Sequence, residues 1–186
     1  MNIQYKFIEL AARIYVAVLL STYGMGKIMG GQFHRRGNLP PEVAEQTLAN
    51  ANSYDLAWTF MGYSYVYIFI IGGIQILGSG FLLFEKTKYL GIALLMPILL
   101  NIIIFDAIFF RANDYGALAS AVFYFSLLLI VLILNKEKTI QLIKNIFTKS
   151  NSTFSLRKVK HILWVLGTCV LIFLIDQMMI QFFGIL

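Results

Sequence analysis

The chain has 186 residues, 59% of them hydrophobic, and its 15 Lys and Arg against 9 Asp and Glu give a formal net charge of +6. Ordinary soluble domains are roughly 45–50% apolar, and here the apolar residues gather into five long runs, which excludes a soluble globule. The lone cysteine, Cys169, excludes an intramolecular disulfide and a C-x-x-C redox pair, and reads as small buried filler.

The first run covers residues 7–31. About 20 apolar residues of helix cross a hydrocarbon core of ~30 Å, and only helices or closed barrels satisfy their backbone there. The run is too long and unbroken for a barrel strand of about ten alternating residues. Arg13 interrupts it and no small-residue cleavage pattern follows Leu20, so it reads as a retained helix rather than a signal peptide. Gly26 and Gly30 near its end form a G-x-x-x-G packing motif. In the loop 32–57, Pro40-Pro41 precedes Glu42, Glu45 and Gln46, the pattern of a short helix with proline at its start.

The second run, 58–84, predicts one helix of about 40 Å at 1.5 Å per residue, which must tilt, kink or protrude. Trp58, Tyr63, Tyr65 and Tyr67 crowd its first half as an aromatic belt. Gly72-Gly73 and Ser79-Gly80 recur seven apart, another close-packing signal. Only residues 85–88 join it to the third run, 89–110, in which Pro97 cannot donate to the Ala93 carbonyl and predicts a kink. Asn101 either satisfies groups freed by that kink or bonds to another helix. Residues 111–114 lead into the fourth run, 115–134, where Gly116 with Ser120 and Ala117 with Ala121 predict close helix approach.

Segment 135–161 carries seven basic residues, with Ile140, Leu142, Ile143, Ile146 and Phe147 at amphipathic spacing among them. It reads as a linker resting on anionic lipid headgroups. The fifth run is 162–185. The expected fold is an all-α, polytopic membrane helix bundle: a four-helix core over 1–134, the linker 135–161 and a fifth transmembrane helix in 162–186. Ten of the fifteen basic residues lie at Lys6, at Lys86 and Lys88, and in the linker, which places the N-terminus inside and the C-terminus outside. The basicity is topological, so no nucleic-acid partner is expected. The short loops favour a bacterial inner membrane.

Charged groups at membrane depth call for a partner or a purpose. Glu9 and Arg13 lie four apart on one helix face at the inner level. Gln75, about 25 Å from the outer end of its run, falls beside them. A bland reading has Arg13 snorkel to the headgroups and hold Glu9. Toward the outer face lie Lys27, Asp106 and Asp176, with Tyr23, Tyr63 and Tyr67 in the same layer. A cation, two carboxylates and tyrosine hydroxyls fit a polar pocket, and equally a structural lock. Asp106, five residues after Asn101, is expected to face elsewhere. No histidine or carboxylate cluster has metal-ligand spacing, and no Walker or dinucleotide motif is present.

The run from Arg13 to Tyr23-Gly24-Met25-Gly26-Lys27-Ile28 resembles the first helix of DoxX-like membrane proteins. So do Gly72-Gly73-Ile74-Gln75-Ile76-Leu77-Gly78, Phe84-Glu85-Lys86-Thr87-Lys88, Leu90-Gly91 and Pro97, the likeness spanning residues 7–134. Gln75 stands where that family often has glutamate, Asp106 near a histidine of some relatives, and the fifth run is extra. The resemblance implies a four-helix core found beside quinone-linked or other membrane oxidoreductases, sometimes as a subunit with no chemistry of its own. No self-contained catalytic motif is present, and no cofactor is evident beyond the quinone this resemblance suggests. Three roles follow: an accessory subunit or assembly factor of a membrane complex, a quinone-linked oxidoreductase subunit, or a small-molecule or ion carrier. Each implies the bilayer and either another membrane protein or self-association as partner.

Overall fold

The computed structural model describes residues 3–109, 115–147 and 159–183. Their contacts cluster into two units, Met1–Ile140 and Gln141–Leu186. The first holds α1 (Ile3–Met29), α2 (Pro41–Ala44), α3 (Ser53–Gly62), α4 (Tyr65–Leu83), α5 (Lys88–Phe109) and α6 (Tyr115–Leu134). Helix α7 (Lys136–Phe147) starts in the first unit and ends in the second, which also contains α8 (Val159–Phe183). The described residues contain no β-strand. Helices α1, α4, α5 and most of α6 are long and apolar enough to cross a membrane, making this a multi-pass membrane protein.

The four spans close a ring in which α1 and α5 each pack against both α4 and α6. Val16 and Leu20, Leu82, Leu95 and Leu99, and Leu128 and Val131 meet inside it as one core. The tightest seams are built on glycine. A Cβ on Gly24 would lie 2.9 Å from the Gly72 carbonyl oxygen, and one on Gly91 2.7 Å from that of Gly78. Gly26, Gly73, Gly80 and Gly116, which the spacing motifs singled out, have nothing within 4 Å of an added Cβ. Gly30, at φ +99°, ends α1 with the Gly31 amide donating back to Gly26 at 2.8 Å, a left-handed helix cap.

The second apolar run is two helices rather than one. Ser64 has extended backbone and its hydroxyl accepts from the Tyr67 amide at 3.3 Å, capping α4 afresh. Immediately before it, Gly62 lets the chain pass so close that a Cβ there would sit 2.0 Å from the His34 carbonyl oxygen. The spanning part is thus 19 residues, about 28 Å at 1.5 Å per residue, which matches a hydrocarbon core without strong tilt. Trp58 belongs to α3, outside that span. Pro41 opens α2 at its first turn, and α5 continues through Pro97.

In the second unit α8 is 25 residues long, with a shorter apolar stretch, Ile162–Leu174, among its described residues. The side chains of Ile146, Phe147 and Asp176 lie outside the described residues.

Candidate functional site

Two polar sites occupy opposite ends of the ring. At the Lys88 end, Glu9 Oε1 accepts from Arg13 Nη1 at 3.1 Å, Lys88 Nζ at 2.9 Å and Asn135 Nδ2 at 3.4 Å. Arg13 also donates to Glu85 Oε2 at 2.7 Å and to the Leu83 carbonyl at 3.2 Å. Lys88 donates to Glu85 Oε1 at 2.7 Å and Asn135 Oδ1 at 3.1 Å. Glu9 and Glu85 face Arg13 and Lys88, with the exposed Lys138 ammonium 3.9 Å from Glu85 Oε1, and the cluster ties α1, the α4–α5 turn, α5 and the end of α6 together. Burial raises the Glu85 carboxyl pKa, but the hydrogen bonds from Lys88 and Arg13 outweigh it and hold the group below its usual value. The sequence had paired Glu9 with Arg13; Glu85, Lys88 and Asn135 complete the set. Their signal was their place in the turn and at the helix end that Arg13 reaches.

Gln75 is not in this cluster. With α4 starting at Tyr65, Gln75 lies only about 15 Å along the span, near mid-depth. It lines a cavity of about 430 Å³ at the other end of the ring. Helix α1 contributes Leu20, Tyr23 and Lys27, the following loop Gln32 and Phe33, and α3 Trp58 and Met61. Tyr67 and Ile71 of α4 join Gln75. Helix α5 presents two adjacent i, i+4 rows, Pro97-Asn101-Phe105 and Ile98-Ile102-Asp106, so Asn101 and Asp106 share the cavity despite their five-residue spacing. On α6, Ala117, Ser120 and Ala121 sit beside Tyr124, and the small side chains that suggested close packing instead leave room.

Three polar side chains are sunk in this lining: Lys27 is 6% exposed, Asp106 7% and Gln75 0%. Lys27 and Asp106 attract each other electrostatically. Lys27 Nζ also stands 6.0 Å from the Phe33 ring centroid. Both terminal atoms of the Gln75 amide are buried with no hydrogen-bond partner among the described residues. The Tyr124 ring lies 6.3 Å from that of Tyr23 and 6.1 Å from that of Tyr15. Over the cavity, Trp58 stacks on Tyr54 at 4.9 Å and meets Phe33 at 5.4 Å, while His34 approaches Asp55 at 3.5 Å. Arg35 donates to the Lys27 and Ile28 carbonyls, closing the end of α1.

Of the six side chains expected in the outer layer, the cavity brings together Lys27, Asp106, Tyr23 and Tyr67. Tyr63 does not join them; it is 58% exposed beneath the Arg36 guanidinium at 5.0 Å. Asp176 falls in the second unit with its side chain undescribed.

The uncharacterized protein YwoB of Bacillus subtilis (strain 168) is 33% identical over 133 residues, 72% of this chain and 80% of its own length. The chain belongs to the YwoB family. No family model matches the chain, and no solved structure matches it. The DoxX-like likeness therefore rests on its motifs alone, and membership of the YwoB family brings no assigned chemistry with it.

Proposed function

We propose that this YwoB-family protein holds a neutral, largely apolar small molecule of the quinone class in the cavity of its four-helix ring. The observation that carries this reading is Gln75, whose amide is buried at membrane depth with neither terminal atom partnered among the described residues. An orphaned buried amide costs free energy that a bound polar group recovers. The charges of Lys27 and Asp106 offset each other, which favours a ligand without net charge. The volume and the apolar, aromatic lining with few polar groups suit a small-molecule site. Carbonyl oxygens of a quinone would accept from the Gln75 amide or the hydroxyl of Tyr67.

No redox-cofactor motif is legible in the sequence, so electrons would come from a partner, and the role we infer is that of an accessory subunit or assembly factor beside a membrane oxidoreductase. In this reading the N-terminus faces inward, α8 is a fifth span and α7 lies on the inner leaflet. The cavity then opens toward the outer face. The Bacillus relative favours a bacterial plasma membrane.

Native mass spectrometry after gentle extraction tests the reading. A retained quinone, displaced by added short-chain quinone and lost in Gln75→Leu, is the expected result. Retention of phospholipid alone, with no saturable uptake of the short-chain quinone, would overturn it.

A further inference from the structure

We propose that the cavity selects a head group bearing a hydroxyl, with donor and acceptor on one oxygen, over an equally shaped head group that can only accept. The inference rests on the reading of the cavity as a ligand site. Its basis is what Gln75 lacks. A primary amide presents a carbonyl acceptor and two N–H donors, and here both the oxygen and the nitrogen are buried and unpartnered among the described residues. Which terminal atom is oxygen therefore does not affect the argument.

Nearby groups are committed elsewhere. The Ser79 hydroxyl donates to the main-chain carbonyl of Gln75 at 2.7 Å. The Tyr124 ring packs against those of Tyr15 and Tyr23. The Lys27 ammonium is held by the attraction of Asp106 and by the Phe33 ring. Gln75 itself is wedged, since a Cβ added to Gly24 would stand 3.3 Å from its own Cβ. A head group with only carbonyl or ether oxygens takes the amide N–H and leaves the amide oxygen without a donor. A hydroxyl gives its proton to one atom and accepts from the other. Sites that hydrogen-bond a substrate hydroxyl discriminate against analogues lacking it because their own polar groups are then left unpaired.

Aromatic residues around the cavity, Phe33, Trp58 and Phe105 among them, favour a phenolic ring over an aliphatic alcohol. Within the quinone class, the oxidised form only accepts, whereas the reduced form carries hydroxyls. The cavity thus favours the reduced form in binding, with no electron transfer required of this chain.

The test uses the full chain in lipid nanodiscs. Of the two tryptophans, Trp58 lines the cavity, and Trp164→Phe removes the other. Quenching of Trp58 is titrated with 4-(6-bromohexyl)phenol and with its O-methyl ether, each corrected for partition into empty nanodiscs. Saturable binding with the phenol about tenfold tighter or more, and a ratio near one in Gln75→Met, is the expected result. Equal saturable affinities, or a preference unchanged in Gln75→Met, would overturn the inference while leaving the cavity a ligand site. Saturation by neither probe would remove the ligand site itself and leave Gln75 to water. Should Gln75→Met not fold, Gln75→Asn draws the amide back by one methylene and must shrink the ratio.

Discussion

Lys27 and Asp106 are the buried charged groups of the cavity lining, and they attract each other across it. Lys27→Met withdraws the positive charge that attracts Asp106 while keeping most of the apolar bulk. Leaving a buried charge without its counter-charge typically costs up to about 3–5 kcal/mol, whereas replacing both charged groups by apolar residues is often neutral. Thermal unfolding in detergent should therefore show Lys27→Met well below wild type and Lys27→Met/Asp106→Leu close to it. A double variant as unstable as the single one would mean that the two charges do not act as a pair. The residue types of this site were legible in sequence, because charge at membrane depth is conspicuous. Depth was harder: Gln75 was referred to the start of a run at 58, and the α3–α4 break at Tyr63–Ser64 moves that origin. Angle alone puts Asn101 and Asp106 on separate faces, whereas a cavity several residues long takes in two neighbouring rows.

Glycine decides the packing of elements, but only the partner surface tells which glycine. A Cβ at Gly72 would stand 2.8 Å from both the Gly24 carbonyl oxygen and Ile28 Cγ1, so Gly72→Ala must push α1 and α4 apart. Overpacking of this kind costs roughly 1–3 kcal/mol. One residue on, Gly73→Ala meets nothing within 4 Å, and the better helix propensity of alanine should stabilise by about 0.5–1 kcal/mol at most. Unfolding midpoints of the two variants should move in opposite directions; two similar shifts would show that the α1–α4 seam is not glycine-limited. Of the five apolar runs, the first four correspond to the four spans found among the described residues, because hydropathy is a property of sequence alone. The seven-residue recurrence of small residues marked α4 as a packing helix. It could not choose between Gly72 and Gly73, since the choice depends on where α1 crosses. The same holds at the split of the second run, where the His34 backbone lies against Gly62, a contact between segments far apart in sequence.

Across the ring, polarity is divided between a filled end and an open one. Glu9, Arg13, Glu85, Lys88 and Asn135 hydrogen-bond one another at the first, and the leucine and valine core separates them from the cavity at the second. The filled end therefore acts in assembly, holding three helices and a turn in register, while the open end has space left by small α6 residues. If that space exists for a ligand rather than as a packing defect, filling it should harm binding and spare folding. Ala121 is buried and lines the cavity, so Ala121→Leu puts added methylenes into empty volume. A packing defect filled in this way gains stability without further consequence, since voids cost the fold the contacts their linings lack. For a ligand site the same substitution should leave the unfolding midpoint equal or higher and weaken binding of 4-(6-bromohexyl)phenol at least tenfold. Unchanged affinity in a folded Ala121→Leu protein would place the bound molecule elsewhere than this end of the ring.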